Sequence, residues 1–400
     1  FVGFRNGWDL GLSKVAPSGP LVEVTEVLRP GKSLPYPQPA PYPVPAAPTP
    51  NAPIPGTPVS RPQLPPLFPS LFPPQPQVGA PIGTPTATLT MGFWNLENFF
   101  DDHDDGRNGQ GDKEYDTLFA KHPELFRLKL DKLCEGILSL APGRGPDIMA
   151  MAEVEDIRAA QELQAALNAR IADPSLQYRN LVMKEMNSGR HIAPAILTRL
   201  PVAADRTKVL GSRQRILEGH VVVGGHDLTI IVGHWTSRLP SKTGNGSDKR
   251  MEYANKMYGE ANAIYHANPK ADILLCGDFN DNPTDPSVTQ GLRSVGDPRQ
   301  LVSPDGHLRL FGVFDNWRPN AGYGTLYYQG WNLFDQFHVS PGMLDHEGWS
   351  CDPATARIGS HLAKPSDPQH RPWRFGNEKE KGVRGYSDHF PVTVGLSVVR

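Results

Sequence analysis

Residues 272–280 read DILLCGDFN, and the reading of this stretch decides the fold class. Asp272–Cys276 is an apolar run of strand length that stops at a glycine. Two polar side chains, Asp278 and Asn280, follow directly. A rigid apolar strand that hands over a carboxylate and an amide at its end is how sheet enzymes place reactive groups. The same grammar recurs in both directions along the chain. Upstream, Thr88–Asn95 (TLTMGFWN) ends at Asn95, the buried strand Asp147–Glu153 (DIMAMAE) ends at Glu153, and Leu228–His234 closes on His234. Downstream, Asp335 lies within WNLFDQFHVS (331–340), and Asp388 and His389 stand just before FPVTVGL (390–396).

Helices are expected between these strands. Leu125, Leu128, Leu133, Ile137 and Leu140 recur near helical spacing and predict an amphipathic helix over Pro123–Ala141. Ile157–Ile171 reads as a second helix with Asp156 as its N-cap, and Asp248–His266 as a third. Ala193–Arg199 is a strand. His220–Val223 and Leu228–His234 flank Gly224-Gly225 and read as a hairpin. Thr325–Tyr328, Phe334–Ser340 and Val392–Leu396 are further strands. Strands interleaved with helices predict an α/β domain from residue 88 to 400.

Residues ahead of that domain have another texture. Residues 1–34 mix apolar and polar residues, with Leu21–Leu28 (LVEVTEVL) alternating like a strand, and read as a short segment or the remnant of an upstream module. From about Pro35 to residue 87 the chain is a proline-rich linker that holds most of its 42 prolines. Proline fixes φ and removes the amide donor, so a polyproline-II spacer is expected, with a ligand for a proline-binding partner domain as the sharper alternative. The 400 residues carry a formal net charge of −2. Any basic face for nucleic acid must therefore be local. No apolar run is long enough to span a membrane. Cys134, Cys276 and Cys351 are too few and too far apart for a disulfide framework or a zinc motif. The opening at Phe1 and the proline-rich spacer lean toward a secreted or cell-surface location.

Taken singly, each strand-end residue has an ordinary explanation. A carboxylate or asparagine there is usually a turn former, and a lone histidine is usually a hydrogen-bonded structural residue. Seven or eight such placements in one domain weigh against that account. Moreover, WNLENFFD (94–101), AMAEVED (150–156), GHWTSR (233–238), CGDFND (276–281), WNLFDQFHVS and GYSDHFPV (385–392) resemble, in order, the successive motifs of the endonuclease/exonuclease/phosphatase superfamily. The resemblance covers residues 88–400 and implies a four-layer α/β/β/α sandwich of two packed mixed sheets.

It also implies roles. Glu153, Asn95 and Asp388 match the family's metal site, where hard oxygen donors suit Mg²⁺, with Mn²⁺ as an alternative. Asp278 matches the aspartate that orients or deprotonates the attacking water, and Asn280 the donor to the phosphoryl oxygen. His389 matches the histidine facing the scissile phosphate and Asp335 its orienting carboxylate. His234 matches a second histidine, placed to protonate the leaving oxygen. The expected activity is metal-dependent phosphodiester hydrolysis, first of all by a nuclease with little sequence preference and nucleic acid as substrate. A lipid or small-molecule phosphoesterase is the alternative. A scaffold or adhesion module with a proline-rich arm and an inactive domain is the reading of another class, and the intact residue set argues against it.

Three further features stay open at this level. Arg199, after AILT, could touch phosphate or pair with a surface carboxylate. The segment Gly348–Arg384 carries Arg374 and Arg384 among other basic residues and is the candidate for a basic rim on the substrate. Asp101–Asp112 has the look of a Ca²⁺ loop, but His103 and Asp112 break the pattern, and a solvated acidic loop is favoured.

Overall fold

The computed structural model describes residues 4–5, 8–9 and 87–399, apart from 110, 187–188, 239–245, 303–304 and 381. The expected strand Leu21–Leu28 and the proline-rich stretch lie outside the described residues. The strand β1 (Ala87–Phe99) leads into helices α1 (Asp112–Lys121) and α2 (Pro123–Leu140). Next come β2 (Ile148–Val154), α3 (Ile157–Asn168), β3 (Asn180–Met183) and β4 (Ala193–Thr198). The second half opens with β5 (Lys208–Val209), the hairpin β6 (Arg215–Val223) and β7 (His226–His234), then α4 (Ser247–Ala267) and β8 (Asp272–Asp278). Short strands β9 (Ser294–Val295), β10 (Leu310–Gly312), β11 (Leu326–Tyr327) and β12 (Trp331–Asn332) precede β13 (Asp335–Val339), β14 (Trp349–Ile358) and β15 (Val392–Val398).

Two mixed sheets result. One has six strands in the order β14-β15-β1-β2-β4-β3, the other seven in the order β9-β10-β13-β8-β7-β6-β5. Alternation along each strand sorts side chains into layers. In β2, Ile148, Ala150 and Ala152 enter the apolar core between the sheets, while Met149 and Met151 face α1, α2 and α3. In β8, Leu274 and Cys276 enter the same central core, while Ile273 and Leu275 meet Tyr253, Ala254 and Met257 of α4. Three apolar layers between four layers of structure make the α/β/β/α sandwich. Asp156 caps α3 by accepting from the Ala159 amide. The three cysteines are buried and unbridged. Among the described residues no helix is long and apolar enough to cross a membrane.

Strand direction places the chemistry. β1 and β2 are parallel neighbours in one sheet, and β7 and β8 are parallel neighbours in the other. β13 and β15 run antiparallel to their neighbours β8 and β1. The carboxyl ends of the first four strands and the amino ends of the other two therefore carry Asn95, Glu153, His234, Asp278, Asp335 and His389.

Glycine at 277 is required where the two parallel strands approach. Gly277 pairs with Gly233 in the ladder, and a β-carbon on it would lie 1.9 Å from the Gly233 carbonyl oxygen. Gly277→Ala is expected to destabilise the fold by ~3 kcal/mol or more, because rigid backbone is what must move. A chemical denaturation curve with an unchanged midpoint would refute this.

Two sequence expectations change. Part of Gly348–Arg384, read as a loop, is the edge strand β14, broken by a register shift between Asp352 and Arg357. Pro353 and the interrupted alternation hid it, and both are tolerated at a sheet edge. The acidic stretch Asp101–Asp112 ends by starting α1: the Asp112 carboxylate accepts from Arg190 and from the His191 amide, while Asp101 pairs with Arg158 at 2.6 Å.

Candidate active site

The residues at the shared sheet edge converge. Asn95 bridges two carboxylates, its amide nitrogen donating to Glu153 Oε1 at 3.2 Å and to Asp278 Oδ2 at 3.0 Å. Its own oxygen accepts from the Glu97 amide at 3.0 Å. Asn95 thus spaces the acids with its nitrogen rather than presenting its oxygen to them. Glu153 Oε2 accepts from the Asn98 amide at 2.7 Å. Asp278 Oδ1 accepts from the Asn280 amide at 2.9 Å. His389 Nδ1 lies 2.8 Å from Asp335 Oδ2, and its Nε2 lies 3.7 Å from Asp278 Oδ2. His234 Nε2 faces the same carboxylates, 3.5 Å from Glu153 and 3.8 Å from Asp278. Asn280 donates from its side chain to the Trp235 carbonyl at 3.1 Å, which uses one of its two amide hydrogens.

Backbone conformation supports the cluster. Glu97, Asn98, Glu153 and Asn280 have φ of 53°, 49°, 62° and 51°. Side chains rarely tolerate this left-handed region, at a cost of ~1–3 kcal/mol each, and such strain gathers at functional sites.

Burial and neighbours divide the charges unequally. Burial opposes ionisation of Glu153, but His234, Arg190 and the bonds from Asn98 and Asn95 outweigh it and hold the carboxyl at about 2. Burial, only partly offset by His389, raises Asp278 to about 6. Burial together with Glu97 raises Asp388 to about 7. Burial should also lower His389, yet Asp335 and Asp278 prevail and push it well above 6.5. His234 goes the other way: burial and Arg215 push it well below 6.5. His389 is therefore the charged imidazole at neutral pH, and His234 is neutral.

A divalent cation is implied by the resemblance, and the donor set admits one. Glu153 is ionised and Asp388 sits close enough to feel its charge; both offer the hard oxygens that Mg²⁺ prefers. Atoms of Asp278, Asp335 and His389 also lie within 4.8 Å of one another. A charged His389 has no lone pair to give, so that trio is better described as a hydrogen-bonded relay.

The arginines expected to bind substrate are elsewhere engaged. Arg199 directly follows β4, which runs antiparallel to β2, so it lies at the opposite edge from Glu153, about 20 Å of strand away. There it is buried, donates to the Arg144 and Pro146 carbonyls and stacks over Tyr178. Arg384 is buried against its own loop, donating to the Phe375 and Asn377 carbonyls. Arg374 is half exposed but doubly bonded to Glu97, at 3.0 and 2.8 Å. Some cations beside the cluster are ones that sequence reasoning missed. Arg190, just ahead of β4, donates to Asn98 Oδ1 at 2.6 Å. Arg215 sits opposite His234 across the β6–β7 pair.

Glu97 was missed too. It is buried in WNLENFFD and accepts from Arg374 and from the Phe375 and Gly376 amides. Its signal was the one charged residue of the strand Ala87–Phe99. Ser387, donating to the Asn95 carbonyl at 2.7 Å, and Trp94, donating to the His389 carbonyl at 2.9 Å, complete the seating of the loop that carries Asp388 and His389.

Next to the cluster, from Asp281 onward, lies a cleft of about 1120 Å³ lined by Asp281, Asn282, Arg238, Tyr327, Tyr328 and Trp331 among others. Residues 90–398 match the profile of a family described as Endonuclease/Exonuclease/phosphatase family. No curated protein matches the chain. Among solved structures, an endonuclease/exonuclease/phosphatase family protein from Bacteroides thetaiotaomicron is similar at 16% identity, over 78% of this chain and 99% of that one, with TM-score 0.48. Sphingomyelinase C from Streptomyces griseocarneus is similar at 14% identity, over 78% and 99%, with TM-score 0.47. D. rerio TDP2 complexed with single strand DNA product is similar at 16% identity, over 78% and 99%, with TM-score 0.43.

Proposed function

We propose, since the chain belongs to the Endonuclease/Exonuclease/phosphatase family, that it hydrolyses phosphodiesters of nucleic acid with little sequence preference, using a divalent cation, first of all Mg²⁺. The observation that carries this reading is the convergence of Glu153, Asp278, His234 and the Asp335–His389 pair at one edge of two sheets.

Glu153 and Asp388 would hold the cation, with Asn95 keeping Glu153 and Asp278 apart. When bound, the cation supplies Lewis-acid charge relief to the phosphoryl oxygens. Asp278 orients the attacking water and takes its proton, a role suited to a carboxyl raised toward neutrality. His389, kept cationic by Asp335, donates to the oxygen on which charge develops. Asn280 adds an amide donor beside it. His234, neutral in the free protein, gives a hydrogen bond to the leaving oxygen.

A polymeric substrate is favoured over a compact one by what flanks the site. Arg215 stands opposite His234 with its Nε unpartnered among the described residues, where it suits a neighbouring phosphate. Tyr327, Tyr328 and Trp331 in the cleft beyond Asn280 offer π-faces to bases. These groups address phosphates and ring faces rather than base edges, hence the weak sequence preference.

The test is a parallel assay of plasmid DNA, RNA, sphingomyelin and inositol phosphates with Mg²⁺, with and without EDTA. Cleavage of nucleic acid that EDTA abolishes and Mg²⁺ restores is expected. Turnover of lipid or inositol substrates alone would replace this reading with the phosphoesterase alternative.

A further inference from the structure

Lys129 is a cation that packing does not require. It has no exposed surface and lies on the face of α2 that carries Phe126, Leu130 and Leu133 into the apolar layer. Met would fill the same volume without desolvating an ammonium group. Among the described residues, no carboxylate lies within salt-bridge distance of Lys129. Its Nζ instead donates to the Tyr386 carbonyl at 2.8 Å and sits 4.9 Å from the centroid of the Phe375 ring.

Both contacts fall on one strap of chain, whose described residues are 373–380 and 382–390. Glu97 grips its start through the Phe375 and Gly376 amides. Its end carries Asp388 and His389. Between them α2 supplies two anchors on a single residue, Glu135 on the Tyr386 hydroxyl at 2.7 Å and Lys129 on the Tyr386 carbonyl. The carbonyl bond acts on the backbone only two residues before Asp388, so it bears on where the Asp388 and His389 side chains point.

We propose that Lys129 is a positioning residue, whose ammonium group fixes the Tyr386 carbonyl and thereby the backbone that holds Asp388 and His389 at the shared sheet edge. Its contribution is to turnover and not to folding. A neutral side chain of the same size leaves the fold intact and lets the strap settle into more than one arrangement. The inference rests on the phosphodiesterase reading for its kinetic readout alone.

The experiment compares wild type, Lys129→Met and Lys129→Arg as full-length proteins. It measures Mg²⁺-dependent cleavage of plasmid DNA and the ring signals of His389 in ¹⁵N-histidine-labelled protein, assigned with a His389→Gln variant. Lys129→Met is expected to melt no lower than wild type, to lose at least ~10-fold in kcat with KM within about threefold, and to move or broaden the His389 signals. Lys129→Arg, which keeps charge and donors, is expected to recover most of the kcat and the wild-type signals. A folded Met variant with unchanged kcat and unmoved His389 signals overturns the proposal. If Met does not fold, a folded Arg variant with displaced His389 signals overturns it, and one with wild-type signals supports it. The spectra need no substrate, so a chain inactive on every phosphodiester would sink the functional reading and leave Lys129 to be judged on His389 alone.

Discussion

Asp278→Asn is expected to lower kcat by ~10³-fold or more while the protein stays folded. Asparagine keeps the shape and can still accept from the Asn280 amide, so the ladder between β7 and β8 is undisturbed. What it loses is the ability to take a proton from water, together with the acceptor for the Asn95 amide, which keeps Glu153 as its partner. The stability effect has a definite sign. A carboxyl raised to about 6 on folding binds its proton more tightly in the native than in the unfolded chain. Ionising it therefore costs stability above the unfolded pKa, and the cost is complete once pH exceeds about 6. Removing the charge at pH 7 should leave the melting temperature equal or higher. Wild-type activity should fall as pH drops through about 6, where Asp278 takes up its proton. It should also fall at alkaline pH, where His389 loses the proton that Asp335 and Asp278 help it retain. Residual activity of Asp278→Asn that keeps the acidic limb would assign that limb to another group.

The second large effect is at His389. His389→Ala should cost ~10³-fold in kcat and, unlike Asp278→Asn, ~3–5 kcal/mol of stability. The reason is Asp335, which has no exposed surface and whose Oδ1 has no hydrogen-bond partner among the described residues. Its Oδ2 is satisfied by His389 at 2.8 Å. Deleting the imidazole strands a buried carboxylate. Adding Asp335→Asn to His389→Ala should then restore much of the lost stability without further loss of activity. A double-mutant cycle read by denaturation and by kcat measures both parts. Additive losses in stability would mean that the two side chains act independently.

The fold was legible wherever apolar runs ended in a polar residue. The strands at Glu153, His234 and Asp278, and the helices starting at Pro123 and Ser247, stand within a residue or two of where alternation and helical spacing put them, whereas β1 runs on to Phe99, four residues past Asn95, and α3 stops at Asn168, three short of Ile171. The family motifs supplied what periodicity could not, namely that two sheets stack. Illegible were features set by direction and by pairing. No local pattern says that β4 runs antiparallel to β2, and that direction alone sends Arg199 to the far edge while bringing Arg190 beside Asn98. No local pattern says that Arg374 and Arg384 are taken up by Glu97 and by loop carbonyls. Side chains counted as free cations in the sequence were committed by tertiary bonds. Glu97 and Lys129 were passed over because a charge within an apolar stretch looks like an irregularity until its partners are known.

Strand β15 does not lie at a sheet margin; it is inserted between β14 and β1, and His389 precedes its first residue, Val392, by three positions. A growing polypeptide interrupted before Val392 would hold Glu153, Asp278 and His234 yet lack the strand that docks the remaining imidazole. The candidate site is therefore complete only once β15 has inserted between β14 and β1. Folding must wait for a contact that spans almost the whole domain.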